Sequence, residues 1–159
     1  MANTQSMCTS FMSQLLSAGH NFNSVNAART VNTVDTFKAA LYLASATINA
    51  ATTAYTATGE VSGSGYTAGG ITVTNTVAPT SSNTSATAGT AYWTPSGSLV
   101  YTSVTLATAF DTVLIYNSSQ ANAAVSVHTF GSQTITAGTF TLTMPVNGTT
   151  TALLRLATT

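Results

Sequence analysis

Apolar and polar residues alternate along most of the chain after residue 35, and this period of two predicts β-strands with one buried face. Alternation or enrichment in β-branched and aromatic residues predicts strands at 37–43, 53–61, 71–76, 92–93, 99–106, 123–130, 139–144 and 153–157. Val113–Tyr116 is instead a continuous apolar run, which predicts a central strand buried on both faces. About eight to ten short strands indicate an all-β fold. We expect an antiparallel β-sandwich, either Ig-like or jelly-roll-like.

Glycines and small polar residues divide the predicted strands and indicate where the chain turns. We expect the glycine-rich stretch 63–70 and the polar stretch 79–89 to form exposed loops. Gly131–Ser132 is expected to turn the chain, and Ala137–Gly138 is typical of a tight hairpin. The strand pattern also predicts these buried positions: Phe37, Leu41, Ile71, Val73, Val113, Ile115, Val125, Val127, Phe140, Leu142 and Leu154.

The first residues follow a helical rather than a strand pattern. Their apolar side chains recur on one face of a helix that we expect over about residues 4–18. This stripe either covers the sheet of its own domain or docks on a neighbouring protein. In the second case the partner-binding residues are Met7, Phe11, Met12, Leu15 and Leu16. Residues 20–35 have weak periodicity and are predicted to form an extended arm. We therefore divide the chain into a helix and arm at 1–34 and a β-sandwich domain at 35–159.

The chain is almost without charge, since charged residues make up 4% of it where a soluble domain has about 25%. Threonine and serine fill the polar positions instead, and the net charge is +0. A neutral hydroxyl surface suits a protein that lives inside an assembly. Nucleic-acid binding is not expected, because it requires clustered lysine and arginine. No apolar run reaches 18 residues, and the N-terminus lacks a basic start followed by an apolar core. We therefore expect neither a membrane span nor a secretory signal.

The residues that catalysis requires are scarce and scattered. The two histidines, His20 and His128, fall in the predicted arm and on a strand face, and no Gly-x-Ser-x-Gly elbow is present. His-x-His, Cys-x-x-Cys and clustered carboxylates are also missing. The glycine-rich stretch 63–70 lacks the lysine of a phosphate-binding loop. Cys8 is the single cysteine and has no partner for an intramolecular disulfide. We expect no enzyme activity, metal or cofactor, and expect His128 to be a strand-face residue with a hydrogen-bond partner.

Several separated motifs occur in an order that resembles small structural proteins of tailed bacteriophages and their prophages. The motifs are DTFKAALY at 35–42, TTAYTATGEV at 52–61, GYTAGG at 65–70, LIYN at 114–117 and VSVHTFG at 125–131. The resemblance extends over roughly residues 35–157, whereas residues 1–34 depart from it.

This resemblance implies a virion component with a β-rich fold. Its leading interpretation is a capsid decoration, or cement, protein that binds the major capsid protein as a homo-oligomer, with a trimer favoured. Such a protein is made in the host cytoplasm and is located on the capsid surface. The alternatives are a tail adaptor or fibre-associated protein, or an adhesin-like domain that binds a receptor.

Overall fold

The computed structural model describes residues 3–16, 19–22, 34–83 and 89–157, without the side chains of Met12, Ser13, Leu16 and Asn83. Its elements are β1 (Ser6–Met7), α1 (Thr9–Leu16), β2 (Phe37–Leu43), β3 (Ile71–Thr72), β4 (Thr80–Asn83), β5 (Gly89–Trp93), β6 (Leu99–Asn117), β7 (Ala123–Leu142) and β8 (Leu154–Ala157). The strands form two antiparallel sheets. The predicted all-β, sandwich-like fold class is therefore confirmed.

The larger sheet has five strands in the order β1-β7-β6-β2-β3. β2 pairs antiparallel with β6 from Phe37 opposite Asn117 to Leu43 opposite Phe110, with an irregularity at Tyr42/Leu43. The predicted central strand is confirmed, because Val113–Tyr116 lies in β6 between two neighbours and is buried throughout. Burial on both faces explains why this run is continuously apolar.

The predicted core positions are mostly buried. Of the eleven, only Ile71 and Leu142 are half-buried, and both are at strand ends. Two buried core residues, Phe110 and Phe140, pack with the half-buried Phe130, and the three ring centroids lie 5.1–5.9 Å apart. Edge-to-face and tilted contacts of this kind add to the free energy gained from burying their area.

β6 and β7 are longer than the sequence pattern predicts, with 19 and 20 residues. The predicted turn at Gly131–Ser132 and the hairpin at Ala137–Gly138 are wrong, because the chain remains in β7 at both places. Ala137 has a φ of 47° and its N–H donates to the Thr105 hydroxyl on β6. A local irregularity next to a continuous neighbour strand therefore replaces the turn.

Three other predicted boundaries also require correction. Residues 53–61 form no strand, although single bridges at Ala54 and Glu60 and several separate hydrogen bonds hold them against the sheet. The strand expected at 71–76 is reduced to Ile71–Thr72. The stretch 79–89 was expected to be a loop, yet Thr80–Asn83 forms β4 and pairs with β5, while residues 84–88 lie outside the described residues. Hydrogen bonds to a partner strand, rather than periodicity, define β4.

The smaller sheet has the order β4-β5-β8 and packs around Trp93, which is buried at the end of β5. The indole N–H of Trp93 reaches both Asn75 Oδ1 at 3.2 Å and the Val77 carbonyl at 3.1 Å. Phe22 contacts the same ring edge-on, with 4.7 Å between centroids. The aromatic side chains thus find both apolar contacts and a hydrogen-bond acceptor.

Contacts divide the chain into two compact units. The first comprises Met1–His20, Asp35–Val73 and Leu99–Thr141, and the second comprises Asn21–Val34, Thr74–Ser98 and Leu142–Thr159. This division differs from the predicted 1–34 and 35–159, because Met1–His20 belongs with the larger sheet. Most of the predicted arm, residues 23–33, lies outside the described residues.

The N-terminal helix is shorter than the predicted 4–18, since α1 begins only at Thr9. Ser6–Met7 pairs with Ser126–Val127 of β7 as strand β1. The Cys8 N–H donates to the Val125 carbonyl at 3.1 Å. The backbone from Ser6 to Cys8 is thus bonded to β7, and an extended strand cannot also be part of a helix.

Gly70 is a position where only glycine fits the fold. Its φ is 72°, and a Cβ there would collide with the Ala39 carbonyl of β2. We expect Gly70→Ala to lower the free energy of unfolding by at least about 2 kcal/mol, because left-handed backbone and a fixed backbone neighbour both oppose the methyl group. The matched control is Gly131→Ala, where a Cβ meets nothing within 4 Å. That change should stabilise the strand by roughly 0.5–1 kcal/mol. Urea unfolding followed by circular dichroism measures both, and equal effects would contradict this explanation.

Candidate functional site

Glu60 is held beside the larger sheet by backbone hydrogen bonds on both sides of it. The Leu43 N–H donates to the Gly59 carbonyl at 2.9 Å, and the Val61 N–H donates to the Leu41 carbonyl at 3.0 Å. Gly59 supplies a φ of 79° for the tight turn that precedes Glu60. These contacts fix the position of the carboxylate relative to β2.

Three neutral donors surround the Glu60 carboxylate. The Tyr55 hydroxyl donates to Oε2 at 2.6 Å, the Tyr66 hydroxyl donates to Oε1 at 2.7 Å, and the Gly69 N–H donates to Oε1 at 2.7 Å. Such short distances are typical of charge-assisted hydrogen bonds. The charge is therefore stabilised by dipoles of the chain itself.

Four tyrosine hydroxyls next to or near this carboxylate also bond to the backbone. Tyr66 Oη accepts from the Leu41 N–H at 3.0 Å. The other three donate to carbonyls: Tyr42 to Thr56 at 2.6 Å, Tyr101 to Ala39 at 2.9 Å and Tyr116 to Gly69 at 2.8 Å. We call Glu60 with Tyr42, Tyr55, Tyr66, Tyr101 and Tyr116 the Glu60–tyrosine cluster.

Ring packing connects the members of the Glu60–tyrosine cluster. Tyr55 stacks on Tyr116 with 4.9 Å between centroids, and Tyr66 stacks on Tyr101 with 6.0 Å. Each pair joins one residue of the irregular segment to one residue of β6. The cluster therefore fastens this segment to the central strand of the sheet.

The glycine-rich stretch 63–70 lies directly against β6. A Cβ at Gly63 would collide with the Thr105 carbonyl, and one at Gly65 would collide with the Ser103 carbonyl. Thr105 donates its N–H to the Ser64 carbonyl at 2.8 Å. Glycine is needed here for close backbone approach. The amide of Gly69 already donates to Glu60, and that of Gly70 donates to the Thr67 carbonyl. The stretch 63–70 therefore packs on β6 as a covering loop.

Burial raises the pKa of every tyrosine in the Glu60–tyrosine cluster. Desolvation is the largest cause for each, and the charge of Glu60 adds to it. For Tyr55 the pKa rises to about 12. The phenols therefore stay protonated at neutral pH and act as hydrogen-bond donors.

The other two carboxylates also bind neutral donors. Asp111 Oδ1 accepts from Asn3 Nδ2 at 2.9 Å and from the Thr112 hydroxyl at 2.7 Å. Asp35 accepts from Asn117 Nδ2 at 2.7 Å and from Gln120 Nε2 at 3.1 Å. All three carboxylates of the chain thus have side-chain or backbone donors from the chain itself.

His20 lies between aromatic side chains rather than in an exposed linker. Its ring is 4.9 Å from Phe11, edge-on, and its nitrogens lie 2.8 Å from Gln14 Oε1 and 3.0 Å from Asn117 Nδ2. Because Asn117 donates and Gln14 accepts, the geometry fits a neutral ring protonated on Nε2. Burial lowers the pKa of His20, while Asp35 acts in the opposite direction.

His128 lies on β7 with its Nε2 at 2.9 Å from the Ser126 hydroxyl. Burial lowers the pKa of His128 to about 4. The prediction of a strand-face histidine with a hydrogen-bond partner is confirmed.

The predicted partner-binding stripe is divided by the structure. Phe11 is only 2% exposed, so it is not available to a partner and this part of the prediction is wrong. Met7 of β1 pairs with Ser126 of β7, and Leu15 is half-buried. The side chains of Met12 and Leu16 lie outside the described residues. For Phe11 the other interpretation is correct, because this side chain is buried within its own unit.

In the described part of the chain, no group of three or more His, Cys, Asp or Glu side chains could hold a metal ion. None of the helices described there is long and apolar enough to cross a membrane. Comparison with known protein families, characterised proteins and solved structures finds no match to the chain.

The Glu60–tyrosine cluster was not among the sites predicted from the sequence. A usable signal was present, because Tyr55 and Tyr66 flank the only carboxylate between residues 36 and 110. A lone acid among tyrosines in a β-protein needs neutral donors, and phenols supply them.

We expect Tyr66→Phe to destabilise the protein more than Tyr55→Phe. Tyr66 Oη serves both Glu60 and the N–H of Leu41, and Leu41 is fully buried. Its loss leaves a buried N–H without an acceptor, which costs about 2–3 kcal/mol, whereas the half-buried Tyr55 should cost about 1 kcal/mol. Urea denaturation of the two variants measures the difference. A smaller effect at Tyr66 than at Tyr55 would show that the Leu41 contact is unimportant.

The raised tyrosine pKa values predict alkaline unfolding. A group whose pKa is higher when folded contributes its full stability below the unfolded pKa near 10 and loses it as pH rises through the folded value. With the pKa of Tyr55 at about 12 and four others raised, stability should fall steadily above pH 10. Tyrosinate absorbance at 295 nm should therefore rise together with the loss of β circular dichroism. Reversible ionisation of five tyrosines near pH 10 without unfolding would refute the prediction.

Proposed function

We propose that this protein is a structural component of a tailed-bacteriophage virion that decorates the capsid as a homo-oligomer, a trimer being the favoured form. Its partner in this role is the major capsid protein. The order of the motifs, which resembles that of small phage structural proteins, supports the proposal, as does the all-β fold of the chain.

The observation that carries the proposal is that acidic side chains of this nearly uncharged chain are hydrogen-bonded to neutral donors. Glu60 and Asp111 are both bonded to neutral donors of the chain itself. A surface made mainly of hydroxyls and small apolar groups can be covered by neighbouring copies without stripping water from ions, which is the costly part of burying polar surface. A decoration protein is surrounded by such copies.

The exposed part of β7 illustrates this surface. Ser132, Thr134, Thr136, Thr139 and Thr141 are all exposed. Threonine is a good strand former, so the strand keeps its conformation without charged side chains. A free protein normally depends on surface charge to stay dispersed. The composition therefore fits a protein whose surface is used for contact within an assembly.

Copy number in the particle tests the proposal. We expect quantitative mass spectrometry of virions from the phage that encodes this chain to find hundreds of copies, in fixed ratio to the major capsid protein. Six, twelve or eighteen copies would contradict decoration and support a tail adaptor or fibre-associated role. Absence from the purified particle would contradict any virion role.

Salt dependence provides a second measurement on the same particles. Because the contact surface has few charges, raising NaCl from about 0.05 to 1 M should change the fraction bound to capsids by less than about twofold, as screening affects exposed ion pairs most. Release of most copies at high salt would show that charged contacts hold the protein instead.

A further inference from the structure

β7 presents an open edge over much of its length. On its outer side it pairs with β1 only at Ser126 and Val127. The chain then leaves this edge, because the Thr4 N–H donates to the Ile48 carbonyl at 3.1 Å and Asn3 bonds to Leu43, Ile48 and Asp111. Among the described residues, no strand pairs with the outer side of β7 beyond this point.

Strand alternation identifies which backbone groups face the open edge. The N–H of Cys8 on the β1 side reaches the Val125 carbonyl, and Gln5 Oε1 on the same side accepts the Thr129 N–H at 3.4 Å. Odd-numbered residues therefore face outward here, and even-numbered residues face β6. By this alternation Gly131, Gln133 and Ile135 direct their N–H and C=O groups toward the open side. The alternation ends at Ala137, whose N–H donates to Thr105 of β6.

Apart from the irregularity at Ala137, this edge lacks the usual protection against strand pairing. Residues 129–142 include no charged residue and no proline, and 131–134 are all exposed. Natural edge strands are normally interrupted by lysine, proline or an inward-pointing charge. An uncharged strand can pair with residues 129–142 without meeting a charged side chain, whereas a charged strand would find no residue of opposite charge in this stretch.

Two glutamine side chains already bind the edge as a peptide would. Gln5 Oε1 accepts from the Thr129 N–H, and Gln133 Nε2 donates to the Gly131 carbonyl at 3.0 Å. A side-chain carboxamide has the same donor and acceptor groups as a peptide bond. The ligand that these groups fit is therefore an extended backbone strand.

We propose that a second copy of this chain pairs with β7 edge to edge, antiparallel around a two-fold axis at Gln133. This centre lies at the middle of the outward-facing groups of Gly131, Gln133 and Ile135. It places Gly131 opposite Ile135 and Ser132 opposite Thr134, so small and large side chains match and hydroxyls meet across the pair. A two-fold contact closes on itself and leaves no further edge of β7 open.

The pairing does not rest on the virion role. It also differs from a threefold contact, so a trimer of this chain would join a second trimer through β7. The test uses the purified full chain alone and is independent of capsids.

Charge reversal at the centre of the contact tests the proposal. Around the two-fold axis each Gln133 faces its own copy, so Gln133→Lys or Gln133→Glu alone places like charges opposite each other. In sedimentation equilibrium at low salt we expect the self-association constant of each variant to weaken roughly fivefold. An equimolar mixture of the two variants should associate about as well as the parent. Thr102→Lys is the matched control, because Thr102 is exposed on the inner strand β6 and should leave association unchanged.

A second variant separates pairing from folding. Gln133→Pro removes an outward N–H that takes no part in the pairing with β6, so circular dichroism should stay unchanged while association is lost. A parent that sediments as a monomer, or as a trimer only, overturns the proposal. Equal association of parent, lysine and proline variants, or no recovery in the mixture, also overturns it.

Discussion

The Glu60 carboxylate needs hydrogen-bond donors, and this need organises the irregular part of the larger unit. Tyr55, Tyr66 and the Gly69 amide come to it from three points of one segment. Bringing them together lays the glycine-rich stretch 63–70 on β6, where side chains at Gly63 and Gly65 would not fit. One charge on a chain that has few thus determines the path of a long loop and the placement of its glycines.

The choice of neutral donors has a consequence for the whole surface. An ion pair would keep a cation beside each carboxylate, whereas phenols and amides add no charge of their own. Desolvating an unpaired carboxylate is expensive, and several good donors recover most of that cost. Neutral donors therefore hold Glu60 and Asp111 in place, and they add no charge to the strands beside them.

Strand class and central burial could be predicted from the sequence because they depend on local periodicity, as at β2 and at Val113–Tyr116. The turn expected at Gly131 failed because a long neighbouring strand supplied hydrogen bonds that overrode a local signal. The helix expected from residue 4 was shortened for the same reason, since β7 captured Ser6–Met7. The Glu60–tyrosine cluster includes Tyr116, which is 56 positions from Glu60. Contacts between residues so far apart produce no periodic pattern in the sequence.

The scarcity of charged residues that leaves Glu60 with neutral donors also leaves the outer edge of β7 without charged side chains. A lysine on residues 129–142 would discourage strand pairing, but it would place a cation on a stretch that has no charged residue of its own. The carboxamides of Gln5 and Gln133 satisfy two edge groups by weaker means, at 3.4 and 3.0 Å, and a strand can displace them. Protection by a removable amide rather than by charge is the arrangement expected of an edge that is open in the single chain and closed in an assembly.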